Sequence, residues 1–364
     1  MTRAARLFRP AIGRSARSSP GCTAGTYPQP PHSHTIIVAS ELLDAYGRAR
    51  CDDCMVQRWW RGLSPAVGAY VMATGIISVG LHLTGNEGLS RIALVLAVVI
   101  WIVLAADFAY GLLWDRSRWE SEADTPPALT AVAATTVLGT RFALLGWHAV
   151  AVGLLVVAVL VWPVLLTLVI RHWHRHMPGA AFLVCVATQG ISVLTATLAL
   201  EAEADWPAVV ALLFFVLGLA LYLAALVRFD PAQIWRGEGD QWVFTGALAI
   251  SALAGSKLVA SQEWTGVPHT VLRVVTLALV AVNLLCYAVL VIAEIVRFRP
   301  GYNVRRWATV FPLGMTAVAA MSTGAVTDIP ALHTAGKYLL IVAIAVWALV
   351  AAELVATRFP IENR

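Results

Sequence analysis

Apolar stretches of about 20 residues recur from residue 65 almost to the end of this chain, separated by short polar connections. Such a stretch is long enough to cross the hydrocarbon core of a bilayer as a helix. Hydrophobic residues make up 59% of the 364 residues and charged residues only 13%, whereas an ordinary soluble domain carries about 25% charged residues. The sequence therefore predicts an all-α integral membrane protein.

Hydropathy places ten membrane spans along the chain, which pair naturally into five helical hairpins. The third and seventh spans are the least hydrophobic, since they are the richest in Ala, Thr, Gly and Ser. The predicted spans are Pro65–His82, Ile92–Trp114, Ala128–Leu145, Val150–Ile170, Gly179–Leu200, Trp206–Val227, Val243–Val259, Val267–Val296, Arg306–Val326 and Lys337–Ala356.

The net charge of +5 resides in the first 64 residues, which hold nine arginines and four acids. The remaining chain is electrically balanced, which argues against nucleic acid as a partner. We predict that residues 1–57 form a basic, disordered cytoplasmic tail and that residues 58–364 form the transmembrane domain. Cys51 and Cys54 form a single CxxC without the second pair that a zinc ribbon requires, so no metal or other cofactor is predicted.

The arginines predict the orientation of the spans, because basic residues concentrate in cytoplasmic loops. With the N-terminus inside, nearly all loop arginines fall on the cytoplasmic side. The outer loops and span ends then hold only Arg91, Arg273 and Lys337. Both termini are therefore predicted to be cytoplasmic, in a multi-pass protein of the plasma membrane.

The odd-numbered spans differ in composition from the even-numbered ones. A short phrase of small residues and hydroxyls recurs in the first, third and fifth spans, as in Val71–Val79 and Val186–Val193. The even spans are dominated by Leu, Val and Ile, as expected of helices that face lipid. Small residues either let helix backbones approach closely or leave space along an axis unfilled.

Hydroxyls of the odd spans are candidates for lining a path for anions, since they can replace water without trapping an ion. The alternative is that each hydroxyl bonds to a backbone carbonyl of the preceding turn. The candidates are Thr74, Ser78, Thr135, Thr188, Ser192, Ser251 and Thr316.

Charged residues within spans suggest two further roles, because such residues are costly in lipid. Arg141 and Lys257 lie near the predicted outer ends of odd spans. They either attract anions or extend to the outer interface. Asp107 and Glu294, in the inner halves of even spans, either couple transport to protons or pair with a nearby arginine; for Glu294 that arginine would be Arg297.

Four phrases of the chain resemble the tellurite-resistance/dicarboxylate transporter family, which includes slow-type anion channels and fungal malate and sulfite exporters. They are Val71-Met72-Ala73-Thr74-Gly75, Val186-Ala187-Thr188-Gln189, Ser251-Ala252-Leu253-Ala254-Gly255 and Phe311-Pro312-Leu313-Gly314-Met315. The resemblance implies a pseudo-fivefold ring of hairpins, odd helices around a central anion path, and homotrimers. It also implies that Phe311 occludes the path. Pro312 cannot donate to Ala308 and should loosen the helix beside this gate. Arg141 matches no family motif.

The sequence thus predicts a transporter or channel for small anions, of the C4-dicarboxylate, sulfite, tellurite, nitrate or chloride class, and not an enzyme. The alternative is a membrane-embedded enzyme or a sensor. The membrane body contains no HExxH motif and no paired aspartates, which such an enzyme would use for metal or nucleophile chemistry. The sequence leaves the anion, and the choice between channel and proton-coupled carrier, open.

Overall fold

A computed structural model describes residues 67–202, 205–237, 239–297 and 303–358, and this part of the chain is helical, without strands. The predicted tail 1–57, with its CxxC, lies outside the described residues. Ten helices of 14 residues or more, here α1 to α10, occupy the predicted positions. They are Gly68–Leu83, Glu87–Trp114, Thr130–Ala143, His148–Arg171, Leu183–Ala202, Asp205–Leu226, Val243–Ala260, Val267–Val296, Trp307–Val326 and Pro330–Arg358.

Eight of these described helices are long and apolar enough to cross a membrane, which confirms eight of the ten predicted spans. The other two are α1, with 16 residues, and α3, with 14. A helix of 14 residues rises only about 21 Å, which is less than the roughly 30 Å of the hydrocarbon core. A turn of 3₁₀ helix, Pro126–Leu129, precedes α3 and lengthens it toward its N-terminus.

Burial separates the odd-numbered helices from the even-numbered ones. In the most apolar windows of α5 and α7, 89% of the residues are buried within the protein, against 17% for α4 and α10. The shorter helices α1 and α3 are also buried along almost their entire length. The helices rich in small residues therefore form the interior, and the helices rich in Leu, Val and Ile present their side chains to the surroundings.

The helix contacts follow a regular order. Each odd-numbered helix packs against the even-numbered helix that follows it, so that the chain folds into consecutive hairpins. Each odd-numbered helix also packs against the next odd-numbered one, and α9 packs against α1. Every even-numbered helix lies in the groove between its own partner and the next odd-numbered helix, with α10 reaching back to α1.

Glycines set the spacing between the odd-numbered helices. A Cβ atom on Gly190 of α5 would collide with the Thr136 hydroxyl of α3, and one on Gly314 of α9 would lie 2.8 Å from Ile76 Cγ2 of α1. These contacts are closer than any side chain would permit. Small residues could either let helix backbones approach closely or leave space along an axis unfilled. At these positions they let the backbones approach.

Side chains of four even-numbered helices donate hydrogen bonds to hydroxyls of the following odd-numbered helix. The pairs are Trp101 Nε1 with Thr135 Oγ1 at 2.9 Å, Trp162 Nε1 with Thr188 Oγ1 at 2.9 Å, Trp347 Nε1 with Thr74 Oγ1 at 3.0 Å and Asn283 Nδ2 with Thr316 Oγ1 at 3.0 Å. These four threonines occupy the same position of the repeat. The interaction is therefore a repeated bond that links each of these four outer helices to the next inner one.

Two of these hydroxyls have no remaining proton to offer. Thr135 and Thr188 each donate to the carbonyl four residues earlier, at 2.7 Å, while accepting from a tryptophan. Ser251 holds the equivalent position in α7 and donates to the Ala247 carbonyl at 2.7 Å. The expected alternative of bonding to the preceding turn is thus observed, and these groups are satisfied inside the helix packing.

We expect Gly190→Ala to destabilise the protein, because the added methyl group must displace Thr136 from a tightly packed contact. Overpacking of this kind costs about 1–3 kcal/mol. The apparent melting temperature of the purified protein in detergent measures the effect. Gly153→Ala on α4 is the matched control, since a Cβ atom there meets nothing within 4 Å. Equal melting temperatures for the two variants would contradict close packing at Gly190.

A double-mutant cycle of Trp162→Phe and Thr188→Val should show that the two side chains share one bond. Each single change removes the same hydrogen bond, worth about 1 kcal/mol between membrane helices, and the double variant should lose little more than either single one. Thermal or denaturant unfolding in detergent gives the four stabilities. Fully additive losses would mean that the two groups act independently.

Candidate functional site

All five odd-numbered helices, or the turns that lead into them, surround a cavity of about 210 Å³ at their N-terminal ends. We refer to it as the N-terminal cavity. Its wall includes one residue from each of these helices: Met72, Thr130, Leu183, Val243 and Phe311. A cavity bounded by all five inner helices lies on the axis that they enclose.

A second and much smaller cavity, of about 20 Å³, is also lined by all five odd-numbered helices. This central cavity begins further along each helix, and its wall includes Ile76, Thr136, Gly190, Ile250 and Met315. The volume is close to the minimum that holds one water molecule. The two cavities follow one another along the inner helices, wide at the N-terminal end and narrow at the centre.

Phe311 lies at the end of the N-terminal cavity that faces the centre. The side chain is buried, with 1% of its surface exposed, and it lines this cavity, while Met315 one turn later lines the central cavity. Its Cε1 atom would be 3.3 Å from a Cβ atom on Gly246 of α7. The absence of a side chain on Gly246 therefore provides the space into which the phenyl ring fits.

Pro312 does not interrupt α9, which continues as a helix from Trp307 to Val326. The missing donor still matters, since the Ala308 carbonyl receives no bond from the proline. Ala308 lines the N-terminal cavity. The predicted weak turn of the helix is therefore situated beside both this cavity and Phe311.

The hydroxyls predicted to line the path face away from the central cavity. Cavity-lining residues such as Val137 and Gly190 follow Thr135 and Thr188 by two positions, which is a rotation of about 200° around the helix. The hydrogen bonds from Trp101 and its equivalents confirm this direction. The threonines at the repeated position therefore face the even-numbered helices.

Two other predicted serines bond across their own hairpins. Ser78 donates to the Ser90 carbonyl and Ser192 to the Ala211 carbonyl, each at 2.7 Å. Among the residues that line the central cavity, the polar side chains are instead Thr136 and Thr140. Sequence reasoning missed Thr136 although it directly follows Thr135, because the repeat by itself does not give the rotation of the helix.

Arg141 is fully buried, and its charge is paired. Its Nη2 donates to Glu87 Oε1 at 2.7 Å and its Nε to Ser90 Oγ at 3.0 Å. Glu87 also contacts His82 Nδ1 at 2.7 Å and Arg91 Nε at 3.1 Å. This network joins α1, α2 and α3 at one end, so that Arg141 acts first as a link between helices.

Lys257 lies in the last turn of α7 as Arg141 does in α3. The two residues are equivalent, since each follows the repeated hydroxyl of its helix by six positions. Both residues therefore lie at the C-terminal ends of inner helices. The lysine is also partly shielded from the surroundings.

The two acids considered for proton coupling form ion pairs. Asp107 Oδ2 lies 3.2 Å from Arg118 Nη2, and Glu294 Oε1 lies 3.1 Å from Arg306 Nη1. In both cases the arginine belongs to the next element of the chain. These contacts support the pairing alternative, with Arg306 as a partner of Glu294 that sequence reasoning did not identify.

A further cavity, of about 240 Å³, lies elsewhere. Its wall comes from α2, α3, α4 and the short helix Arg116–Ala123, and it contains the Asp107–Arg118 pair. Residues of α1, α5, α7 and α9 contribute almost nothing to it. It therefore lies to the side of the axis, and the two axial cavities form the candidate site.

Comparison with known families gives a match. The family described as voltage-dependent anion channel matches residues 62–355, which include all ten helices except the last residues of α10. A search among curated proteins finds no match. The family match covers most of the chain and agrees with the resemblance found in its short motifs. The chain therefore belongs to the voltage-dependent anion channel family, whose members carry anions across membranes.

Proposed function

We propose that the protein conducts small anions across the membrane along the axis enclosed by its odd-numbered helices. The observation that carries this proposal is the presence of two successive cavities, each lined by all five of these helices. The cavity of about 240 Å³ is bounded by α2, α3, α4 and the short helix Arg116–Ala123, and it lies to one side. Membership in an anion channel family supports the same conclusion.

The proposed architecture is a pseudo-fivefold ring of helical hairpins. The contacts of each odd-numbered helix with the next, and of α9 with α1, support an inner ring of five. The even-numbered helices form the outer layer, and their exposed apolar faces contact lipid and further copies of the chain in a homotrimer. In this arrangement α1 and α3 count as spans despite their shortness, since they are shielded from lipid.

The wall of the path favours small anions with little charge. Side chains of the central cavity are uncharged, so an ion that enters is not trapped by a strong opposing charge. Arg305 and Asp240 lie at the wide N-terminal cavity. Among the anions considered, chloride and nitrate require less widening of the narrow centre than a four-carbon dicarboxylate does.

We propose that the N-terminal ends of the odd-numbered helices face the cytoplasm, as the positions of the loop arginines indicate. The N-terminal cavity is then the cytoplasmic entrance of the path. The domain 58–364 lies in the plasma membrane in this proposal. Arg141 and Lys257 are at the opposite, outer end, where Glu87 neutralises much of the charge of Arg141.

Phe311 is the proposed gate. Its ring closes the cytoplasmic entrance at the point where the N-terminal cavity ends, and it is the largest side chain on that wall. The ring rests against a glycine, and the neighbouring turn lacks one backbone hydrogen bond. The turn without this bond is the part of α9 whose backbone can adjust to carry the ring out of the path.

Anion efflux from vesicles that contain the purified full chain tests this function. We expect the parent protein to release chloride or nitrate faster than protein-free vesicles, and Phe311→Ala to raise the rate about two- to threefold by removing an apolar obstruction. An anion-selective electrode records the efflux.

Phe182→Ala is the matched control for Phe311→Ala. Phe182 is equally buried but packs against Tyr222, Phe229 and Phe244, away from both axial cavities. Its truncation should leave the efflux unchanged. Efflux no faster than from empty vesicles, for parent and variant alike, would rule out anion conduction. An unchanged rate for Phe311→Ala alone would remove the gate.

A further inference from the structure

We infer that the path contains a second, apolar barrier beyond Phe311, formed by Ile76, Ile250, Leu253 and Met315 around the central cavity. The inference rests on the proposed function and concerns which residues of this chain hold the path closed. All four side chains line the cavity, and each has at most 3% of its surface exposed.

The barrier is separate from the proposed gate. Met315 follows Phe311 by four residues, which places it about 6 Å further along the helix axis. Phe311 lines the N-terminal cavity and does not line the central one, whereas the reverse holds for Met315 and Ile250. Removal of the phenyl ring therefore enlarges the entrance and leaves the centre closed.

The central cavity cannot accommodate an anion together with hydrating water. Its volume of about 20 Å³ corresponds to roughly one water molecule. An ion that loses its hydration shell needs replacement donors, and burial of a charge without them is strongly unfavourable. An apolar constriction of this size closes a path by excluding water as well as by size.

The two hydroxyls in this wall do not supply those donors. Thr136 Oγ1 donates to the Ala133 carbonyl at 2.9 Å, and Thr140 Oγ1 donates to the Thr136 carbonyl at 2.9 Å. Each hydroxyl proton is thus engaged with its own helix, and only acceptor lone pairs remain toward the cavity. An anion meets no free hydroxyl proton on this wall.

The packing around the cavity prevents a small adjustment from opening it. Ile76 Cγ2 lies against Gly314, and the Thr136 hydroxyl lies against Gly190. These contacts leave no space between neighbouring inner helices. Opening therefore requires rotation of the large apolar side chains or separation of the helices, and truncation of the side chains should substitute for that movement.

If Phe311 and the apolar wall of the central cavity act in series, anion efflux through combined variants can be predicted. When one barrier is removed, the other still limits the flux, so the effects of the two removals should exceed simple multiplication. We expect Phe311→Ala alone and the pair Ile250→Ala/Met315→Ala alone each to raise anion efflux only about two- to threefold, and the triple variant to exceed either by at least about tenfold.

The matched control combines Phe311→Ala with Leu248→Ala and Met321→Ala. Leu248 and Met321 are buried on the same two helices but line neither axial cavity. This control should conduct no better than Phe311→Ala. Equal flux through the control and the triple variant would mean that general loosening of α7 and α9 opens the path, which overturns the inference.

A second variant keeps the size of the barrier and changes its polarity. Met315→Gln, combined with Phe311→Ala, should raise efflux above that of Phe311→Ala, because a polar wall admits water. It also provides a measurement if the triple variant does not elute as a single folded species in size-exclusion chromatography. Flux equal to that of Phe311→Ala would show that the apolar character of this wall is not limiting.

The outcomes separate the inference from the proposed function. If Phe311→Ala alone conducts as well as the triple variant, anion conduction stands and the second barrier is absent. If no folded variant releases chloride or nitrate faster than empty vesicles, the proposed function fails and the inference fails with it. A triple variant that greatly exceeds both partial variants supports both.

Discussion

Close contact between backbones of the odd-numbered helices is the constraint on which the rest of the structure depends. Five helices with little charge and many small residues bury nearly their whole surface within the protein, and each contacts two others of the five. At Gly190 and Gly314 a single methyl group would already collide with the neighbouring helix. In a membrane such packing replaces the hydrophobic driving force that water provides to soluble proteins.

The hydroxyls of the inner helices need hydrogen-bond partners in the membrane, and this requirement determines how the outer helices attach. A polar group without a partner is costly in the membrane, so each threonine at the repeated position donates within its helix or accepts from a neighbour. The donors are Trp101, Trp162, Trp347 and Asn283 in the middle of otherwise apolar helices. The same arrangement consumes the hydroxyls that would otherwise be available to an ion on the axis.

The polarity of the proposed path is therefore set by the side chains that remain on the axis-facing sides of the inner helices. Those faces carry Ile, Val, Leu and Met around a space of about 20 Å³, followed by the wider cavity beside Phe311. An anion path with an apolar wall does not bind its ion strongly, and it stays closed until the wall moves. Charged groups such as Arg141 and Asp107 are engaged in ion pairs that link neighbouring elements.

The sequence by itself determined the membrane class, the positions of the helices and the division into small-residue and lipid-facing sets, because these follow from length, hydropathy and composition. It also indicated the family through short phrases such as Phe311–Met315. Only the tertiary structure decided the rotation of each helix, and hence that Thr136 rather than Thr135 lines the central cavity. It alone also paired Arg141 with Glu87, since a one-dimensional pattern does not show which distant residues meet.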